Sequence, residues 1–392
     1  MLNIPLMENN IDKSDIDVLI DFLHHSDHFT NGLKVKEFEA MWSDWLEGGY
    51  DSLFVNSGSS ANYITMVAIR ELYGEGDVIL SPIGWTSDIS SVILAGLNPV
   101  FVDVNLKNLA MNEDKILERI TEKTRAVLLT HVLGYNGISD KIINICREKG
   151  VLLVEDACES HGATFKNQKV GSFGDISNFS FYYAHHMTTI EGGMICTRNE
   201  ELYRVMRMCR SHGMLRECGD SSYIEQISKR YPEVHEEFIF PIPGFNMRST
   251  ELNAVIGINQ LKRLDDSIKK RKNNYRLFIS NLDAEKYYTD FDNIGSSNYA
   301  FVVMPNPSYS SRRKLYDKMI EAFRREKVEF RRGTAGGGNM IRQPYIQNRY
   351  PNLKPSDFPN AEYIHENGVY IGNYPGLDER KIGDLCNLLN SL

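Results

Sequence analysis

SNFSFYYAHHMTTIEGGMICT, residues 177–197, is the stretch on which the fold of this chain turns. Phe179 and Phe181 alternate as strand residues do, and Met194, Ile195 and Cys196 predict a second strand after a short polar turn. Gly192 and Gly193, directly ahead of that second strand, supply backbone freedom where a bulky ligand needs close approach. His185 and His186 occupy the crown of the turn.

Upstream of this unit, from Asp51 onward, short apolar runs alternate with helical ones. Ser52–Val55, Val78–Leu80, Pro99–Val102, Ala126–His131 and Val151–Glu155 read as strands. Between them, Ala61–Tyr73, Trp85–Ala95, Asn112–Ile120 and Ile138–Lys149 read as helices. Near-continuous apolar strands alternating with helices predict a parallel sheet covered on both faces, with ligands at the carboxyl ends of its strands. Further upstream, Ser14–His25 reads as an amphipathic helix. Ser14 and Asp17 approximate its capping box, and Ile16, Leu19, Ile20 and Leu23 share one face. A turn containing Thr30 then leads into a helix over KVKEFEAMWSDWL. Downstream, Leu202–Met208 and a long segment, Glu251–Lys272, read as helices. A strand at Tyr299–Met304, a helix at Arg312–Glu326 and a strand at Val328–Arg331 suit a smaller α+β domain.

The 392 residues, 42% hydrophobic and 24% charged, suffice for a large core and a second domain. A net charge of -8 argues against nucleic-acid binding driven by charge. No apolar run reaches the roughly 18 residues of a membrane span, and MLNIPLMENN lacks a signal-peptide layout, so a cytoplasmic protein is expected. The six cysteines form no CxxC pair and suggest neither a disulfide framework nor a zinc site.

Several strand ends carry residues suited to chemistry. Asn56-Ser-Gly-Ser-Ser-Ala61 follows a strand and opens a helix, the geometry of an anion site, although a glycine-containing N-cap turn accounts for the same residues. Trp85 follows another strand, where core packing is the ordinary role of an aromatic ring. Val151–Asp156 is an apolar strand ending in two acids, followed by Glu159-Ser-His-Gly162. Arg210-Ser-His212-Gly213 and Gly244-Phe-Asn246-Met-Arg248 complete the set, and a structural role for His212 explains it equally well.

From Asn3 to Leu389 these segments resemble the DegT/StrS-type sugar aminotransferases, which are fold-type I, vitamin B6-dependent proteins. The resemblance implies a mostly parallel central α/β sheet with helices on both faces, in a large domain over residues 1–250. A smaller C-terminal α+β domain, with the long helix, takes residues 251–392. It also implies that Gly58, Ser59 and Ser180 hold a cofactor phosphate, that Trp85 stacks on the pyridine ring and that Asp156 pairs with the ring nitrogen. Glu159 then lies near the phenolic oxygen. Asn246 reaches the phosphate of the other subunit of a homodimer, Arg248 meets the carboxylate of an amino-acid co-substrate, and Thr30 and His212 lie near the nucleotide-sugar.

In that family a lysine six residues before the Glu of a Gly-Glu-Gly-Gly run bonds covalently to pyridoxal phosphate. Counting back six from Glu191 reaches His185. Tyr183–Met187 and Gly338–Pro344 resemble the dehydratase branch, and the absence of Cys-x-Cys sets the chain with its GDP-sugar members rather than the iron–sulfur ones. Gly333-Thr-Ala-Gly-Gly-Gly338 departs from the family pattern. The resemblance therefore implies a resting cofactor in the pyridoxamine phosphate form, with His185 as the base and His186 a neighbour out of register. The implied reaction removes the C3 hydroxyl of a nucleotide-linked 4-keto-6-deoxy sugar, with L-glutamate regenerating the cofactor. An aminotransferase and a non-catalytic, lysine-less cofactor-binding protein are the alternatives.

Overall fold

A computed structural model describes all 392 residues. Its strands are β1 (Asp51–Val55), β2 (Asp77–Leu80), β3 (Asn98–Phe101), β4 (Thr124–Thr130) and β5 (Leu152–Asp156). A two-stranded ribbon follows, β6 (Thr164–Phe165) and β7 (Gln168–Lys169), then β8 (Ile176–Ser180) and β9 (Gly193–Thr197). The C-terminal part adds β10 (Ala300–Val303), β11 (Phe330–Arg332) and β12 (Val369–Gly372). The helices used below are α1 (Lys13–His25), α2 (Leu33–Trp45), α3 (Gly58–Tyr73) and α4 (Thr86–Leu94).

The main sheet has seven strands in the order β1-β9-β8-β5-β4-β2-β3. From β8 to β3 all neighbours are parallel, as the strand–helix alternation requires; β9 alone runs antiparallel to both of its neighbours. Alternate residues feed two cores. Leu53, Val55, Val78, Leu80, Ala126, Leu128 and Val154 enter one, while Phe54, Ile79, Val127, Leu129 and Leu153 enter the other. Both faces are therefore dry, which explains why the strands lack polar alternation. The first core continues into a three-stranded sheet, β10-β12-β11, through Phe301, Val302 and Ile371. Residues near the N-terminus join this smaller sheet: Ile4 bridges Val328, and the Leu6 N–H donates to Glu329 Oε2 at 2.8 Å.

Three local expectations change. The N-cap of α1 is Asp12, whose side chain accepts the Ser14 and Asp15 N–H groups while Asp15 reaches back to the Asp12 N–H, so Ser14 and Asp17 do not form the box. Ile16, Ile20 and Leu23 face solvent in the single chain, and the one buried side chain of α1 is Asp15. The long helix breaks in two, giving α5 (Glu251–Leu261) and α6 (Leu264–Asn281). Arg263 at the break leaves helical geometry and pairs with Asp15, toward which Asn259 and Gln260 also turn their side-chain amides. Satisfying a buried carboxylate overrides the continuous helical pattern.

Candidate active site

The carboxyl ends of β1, β2, β4, β5 and β8 converge on one cavity of about 390 Å³, closed on its far side by Tyr299, Arg331 and Tyr370 of the C-terminal part. That volume suits a cofactor-sized ligand. A larger groove of about 830 Å³ runs between α1, α2 and α5, but only the smaller cavity gathers an anion cradle, an aromatic ring and convergent acids.

The cradle is built by the turn between β1 and α3. Ser57 caps α3 by accepting the Ser60 N–H, which leaves the N–H groups of Gly58 and Ser59 at the helix start without intrahelical partners. A Cβ on Gly58 would lie 2.5 Å from Ser180 Cβ, so only glycine leaves room between this turn and β8. The double glycine at the start of β9 has a related reason, and not the one read from sequence. A Cβ on Gly193 would meet Ser57 O at 2.4 Å, and one on Gly192 would meet Thr189 Oγ1 at 2.2 Å. These glycines admit the chain's own turns, not a ligand.

The His turn is held from both ends. The Phe181 N–H donates to Gly192 O at 2.8 Å, the Thr189 N–H donates to Phe181 O at 3.0 Å, and Asn253 Nδ2 donates to Thr189 O at 2.6 Å. Ile190 takes a left-handed φ of 71°, rare for a β-branched residue, with its N–H on Thr188 Oγ1 at 2.8 Å. This frame turns the half-buried His185 into the cavity and buries its neighbour His186 beneath it. Burial, reinforced by the nearby Arg271 cation and opposed by Asp156, pulls the His185 pKa down to about 4.

Asp156, at the end of β5, is buried at the cavity wall. Its Oδ1 accepts the Cys158 N–H at 2.9 Å, and its Oδ2 accepts Asn62 Nδ2 at 2.7 Å. Glu159 accepts the Leu133 N–H at 2.9 Å, and burial pushes its carboxyl up to about 7. Trp85 precedes α4 with its side chain part-exposed in the cavity mouth. Gly58, Ser59, Trp85, Asp156, Glu159, Ser180 and His185 thus share one cavity.

Four expected residues lie elsewhere. Thr30 is exposed, with its hydroxyl 3.3 Å from His28 Nε2. His212 is exposed on a left-handed turn (φ 63°), where it serves the backbone path and does not enter the cavity. Asn246 is exposed, its side chain accepting the Arg248 N–H at 3.2 Å, and the Arg248 backbone bridges Val55. Sequence reading missed Asn62, Asp88, Thr130, Tyr299, Arg331 and Tyr370. Arg331 ends a strand already visible in the sequence, but only packing of the smaller sheet against the larger brings it to the site.

The sequence profile of the DegT/DnrJ/EryC1/StrS aminotransferase family matches residues 9–390. The chain belongs to that family. Among similar proteins, the DegT-family chain is 31% identical over 396 residues to a GDP-4-keto-6-deoxy-D-mannose 3-dehydratase of Yersinia pseudotuberculosis, covering 99% of this chain and 98% of that one. A solved E. coli GDP-4-keto-6-deoxy-D-mannose-3-dehydratase with bound hydrated PLP superposes with a TM-score of 0.89 at 28% identity, covering 99% and 100% of the two chains. Another GDP-4-keto-6-deoxymannose-3-dehydratase structure, holding a trapped PLP-glutamate geminal diamine, gives 0.88 at 27% identity, again covering 99% and 100%. The cavity of this family member fits such a cofactor by the groups it gathers: a helix start with a glycine for a phosphate, an aromatic ring and a buried carboxylate all line it.

Proposed function

We propose that this family member is a pyridoxamine phosphate-dependent sugar-nucleotide 3-dehydratase. It removes the C3 hydroxyl of a GDP-linked 4-keto-6-deoxy sugar to give the 3,6-dideoxy-4-keto product, and L-glutamate restores the amine form of the cofactor. The observation that carries this reading is the cavity wall: it contains His185, the residue six before Glu191 where the family resemblance leads one to expect a lysine, and no lysine lines the cavity. Full-length likeness to 3-dehydratases supports the same reaction.

When bound, the cofactor supplies an amine for the keto carbon and a heteroaromatic ring that takes up electrons. The Gly58 and Ser59 N–H groups, with the Ser59 and Ser180 hydroxyls, hold its phosphate at the start of α3. Trp85 covers a ring face, Asp156 holds a proton on the ring nitrogen, and Glu159 keeps one beside the ring hydroxyl. His185 is neutral at physiological pH and is free to take a proton at the cofactor's C4′.

Asn246 and Arg248 act, in this reading, across a homodimer interface, where Asn246 completes the partner's phosphate site and Arg248 meets the co-substrate carboxylate, while Thr30 and His212 serve the nucleotide-sugar. Exposed Phe245, next to Asn246 in the chain, with exposed Phe238 and Phe240, would give that interface apolar surface. Within the chain, Arg331 is the cavity cation available to a carboxylate co-substrate. No helix is long and apolar enough to cross a membrane; a cytoplasmic site suits the nucleotide-sugar and glutamate substrates.

Incubation with glutamate and GDP-4-keto-6-deoxymannose tests the reading by product mass and released ammonia. A dehydrated sugar with ammonia supports it. Nitrogen retained on the sugar would identify an aminotransferase, and cofactor binding without turnover a non-catalytic protein.

A further inference from the structure

Asp88 and Asp156 lie beside one another at the cavity, and a single side-chain amide ties them together. Asn62 Nδ2 donates to Asp88 Oδ1 at 3.0 Å and to Asp156 Oδ2 at 2.7 Å. The second oxygen of Asp88 accepts from Thr130 Oγ1 at 2.9 Å. Asn62 is fixed in turn, its Oδ1 accepting from Asn178 Nδ2 at 2.9 Å, while Asn178 Oδ1 accepts from Thr65 Oγ1 at 3.0 Å. Asp88 is 3% exposed and Asp156 4%. Every hydrogen-bond donor to the two carboxyls is neutral, and no lysine, arginine or histidine nitrogen pairs with either.

Two ionised carboxylates this close, out of water and without a cation, repel each other, and binding one proton between them relieves that cost. We infer that Asp88 and Asp156 share one proton in the cofactor-free protein, and that Asp88 keeps it, as a neutral acid beside ionised Asp156, when a heteroaromatic base binds at Asp156. The groups facing Asp88 agree. Asp156, Cys158 and Glu159 bring no positive charge, His185 is neutral, and the Arg331 cation of the cavity wall is solvent-exposed. Burial and the Asp156 carboxyl both raise the Asp88 pKa well above the ordinary aspartate value.

Asp88 is then a positioning residue. It acts through Asp156, whose hold on a ring-nitrogen proton it tempers by keeping a second negative charge away. Its place in the first turn of α4, three residues after Trp85, joins the stacking ring and the charge control on one element. The consequence for the ring nitrogen rests on the cofactor reading above; the proton-sharing pair does not.

Infrared spectroscopy of the full chain carrying carboxyl-13C aspartate tests it, with and without pyridoxamine phosphate. At neutral pH both forms should show the band of a protonated aspartic acid, shifted by deuteration and absent in Asp88→Asn. A missing band in the cofactor-free protein overturns the pair, and a band lost on cofactor binding overturns the assignment to Asp88. Because the wild-type spectrum needs no variant, a poorly folding Asp88→Asn leaves the inference exposed to refutation.

Stability gives a second readout. An acid whose folded pKa is raised loses stability as pH rises above its unfolded value, since the unfolded chain releases the proton first. The Tm of Asp88→Asn relative to wild type should therefore climb from about pH 4 upward, by roughly 1–2 °C per pH unit. A relative Tm that falls as pH rises would mean that Asp88 is ionised. In the loaded enzyme, Asp88→Asn, as uncharged as the protonated acid it replaces, should leave the alkaline titration of the bound cofactor's absorbance unmoved. A titration shifted by about one pH unit or more would mean that Asp88 carries a charge beside the ring and overturns its assignment as the neutral acid. Failure of the dehydration assay would leave the aspartic acid band unchanged, so the two readings fail separately.

Discussion

His185 and His186 are neighbours in the chain and point to opposite sides of one turn. His185 lines the cavity, whereas His186 is buried and its Nε2 donates to the Ser297 carbonyl at 3.2 Å. The hydrogen bond fixes the proton on Nε2 of His186 and commits that ring to holding residues 296–298 against the His turn.

This division predicts different losses for the two histidines. His185→Asn should retain cofactor and sugar binding and lose elimination by about 10²–10⁴, the range for one general base. His186→Asn should chiefly destabilise the fold, by about 1–3 kcal/mol, because the Ser297 carbonyl loses its donor. His185→Lys should bind the cofactor covalently, read as a borohydride-fixed adduct at residue 185, and shift the product toward an amino sugar. Wild-type turnover in His185→Asn would remove His185 from the mechanism.

The pH dependence has a definite sign. His161, His185 and His186 are all held neutral below the ordinary histidine range, mainly by burial. The unfolded chain binds protons on them from about pH 6.5 downward while the folded chain does not, so stability should fall as pH drops from about 6.5 toward 4. Denaturant titrations across that window measure it, and His161→Phe should flatten the slope. The acid limb of kcat should fall below pH 6.5, since His185 stays an unprotonated base.

Gly58→Ala places a methyl 2.5 Å from Ser180 Cβ and 3.0 Å from Cys158 Sγ, in the cradle itself. We expect cofactor affinity to drop by at least about tenfold, some 1.4 kcal/mol, as the turn is pushed from β8. Spectroscopic titration with pyridoxamine phosphate checks this, and unchanged affinity would remove the phosphate from this turn.

Glu251, at the start of α5, accepts the N–H groups of Gly32, Lys34 and Val35 at 2.8–2.9 Å and so caps α2 from another helix. The Gly32 cap position has no side chain to do this. Glu251→Ala should cost about 1–3 kcal/mol in denaturant unfolding. A loss below about 0.5 kcal/mol would show that water serves these groups as well.

Sedimentation should find a dimer, and Phe245→Asp should shift it toward monomer with weaker cofactor binding. A fully active monomer would return Asn246 and Arg248 to purely local roles.

Much of this was legible in the sequence, because the governing physics is local. Apolar runs without polar alternation specify strands buried on both faces, and a turn opening a helix leaves free N–H groups that suit an anion. Aligned on Glu191, the chain already placed His185 where a lysine was expected. What tertiary structure alone decided depends on contacts distant in sequence. Asp15 draws Arg263 across 248 residues and breaks a helix that its own pattern would continue. Arg331 and Tyr370 reach the cavity only because the smaller sheet packs against the larger one. Asn62 and Asp88, 26 residues apart on different helices, reveal their link with Asp156 only once α3, α4 and β5 meet. Periodicity reports which side of an element is buried; it carries no information on which buried polar group will meet which other, and that is settled by packing.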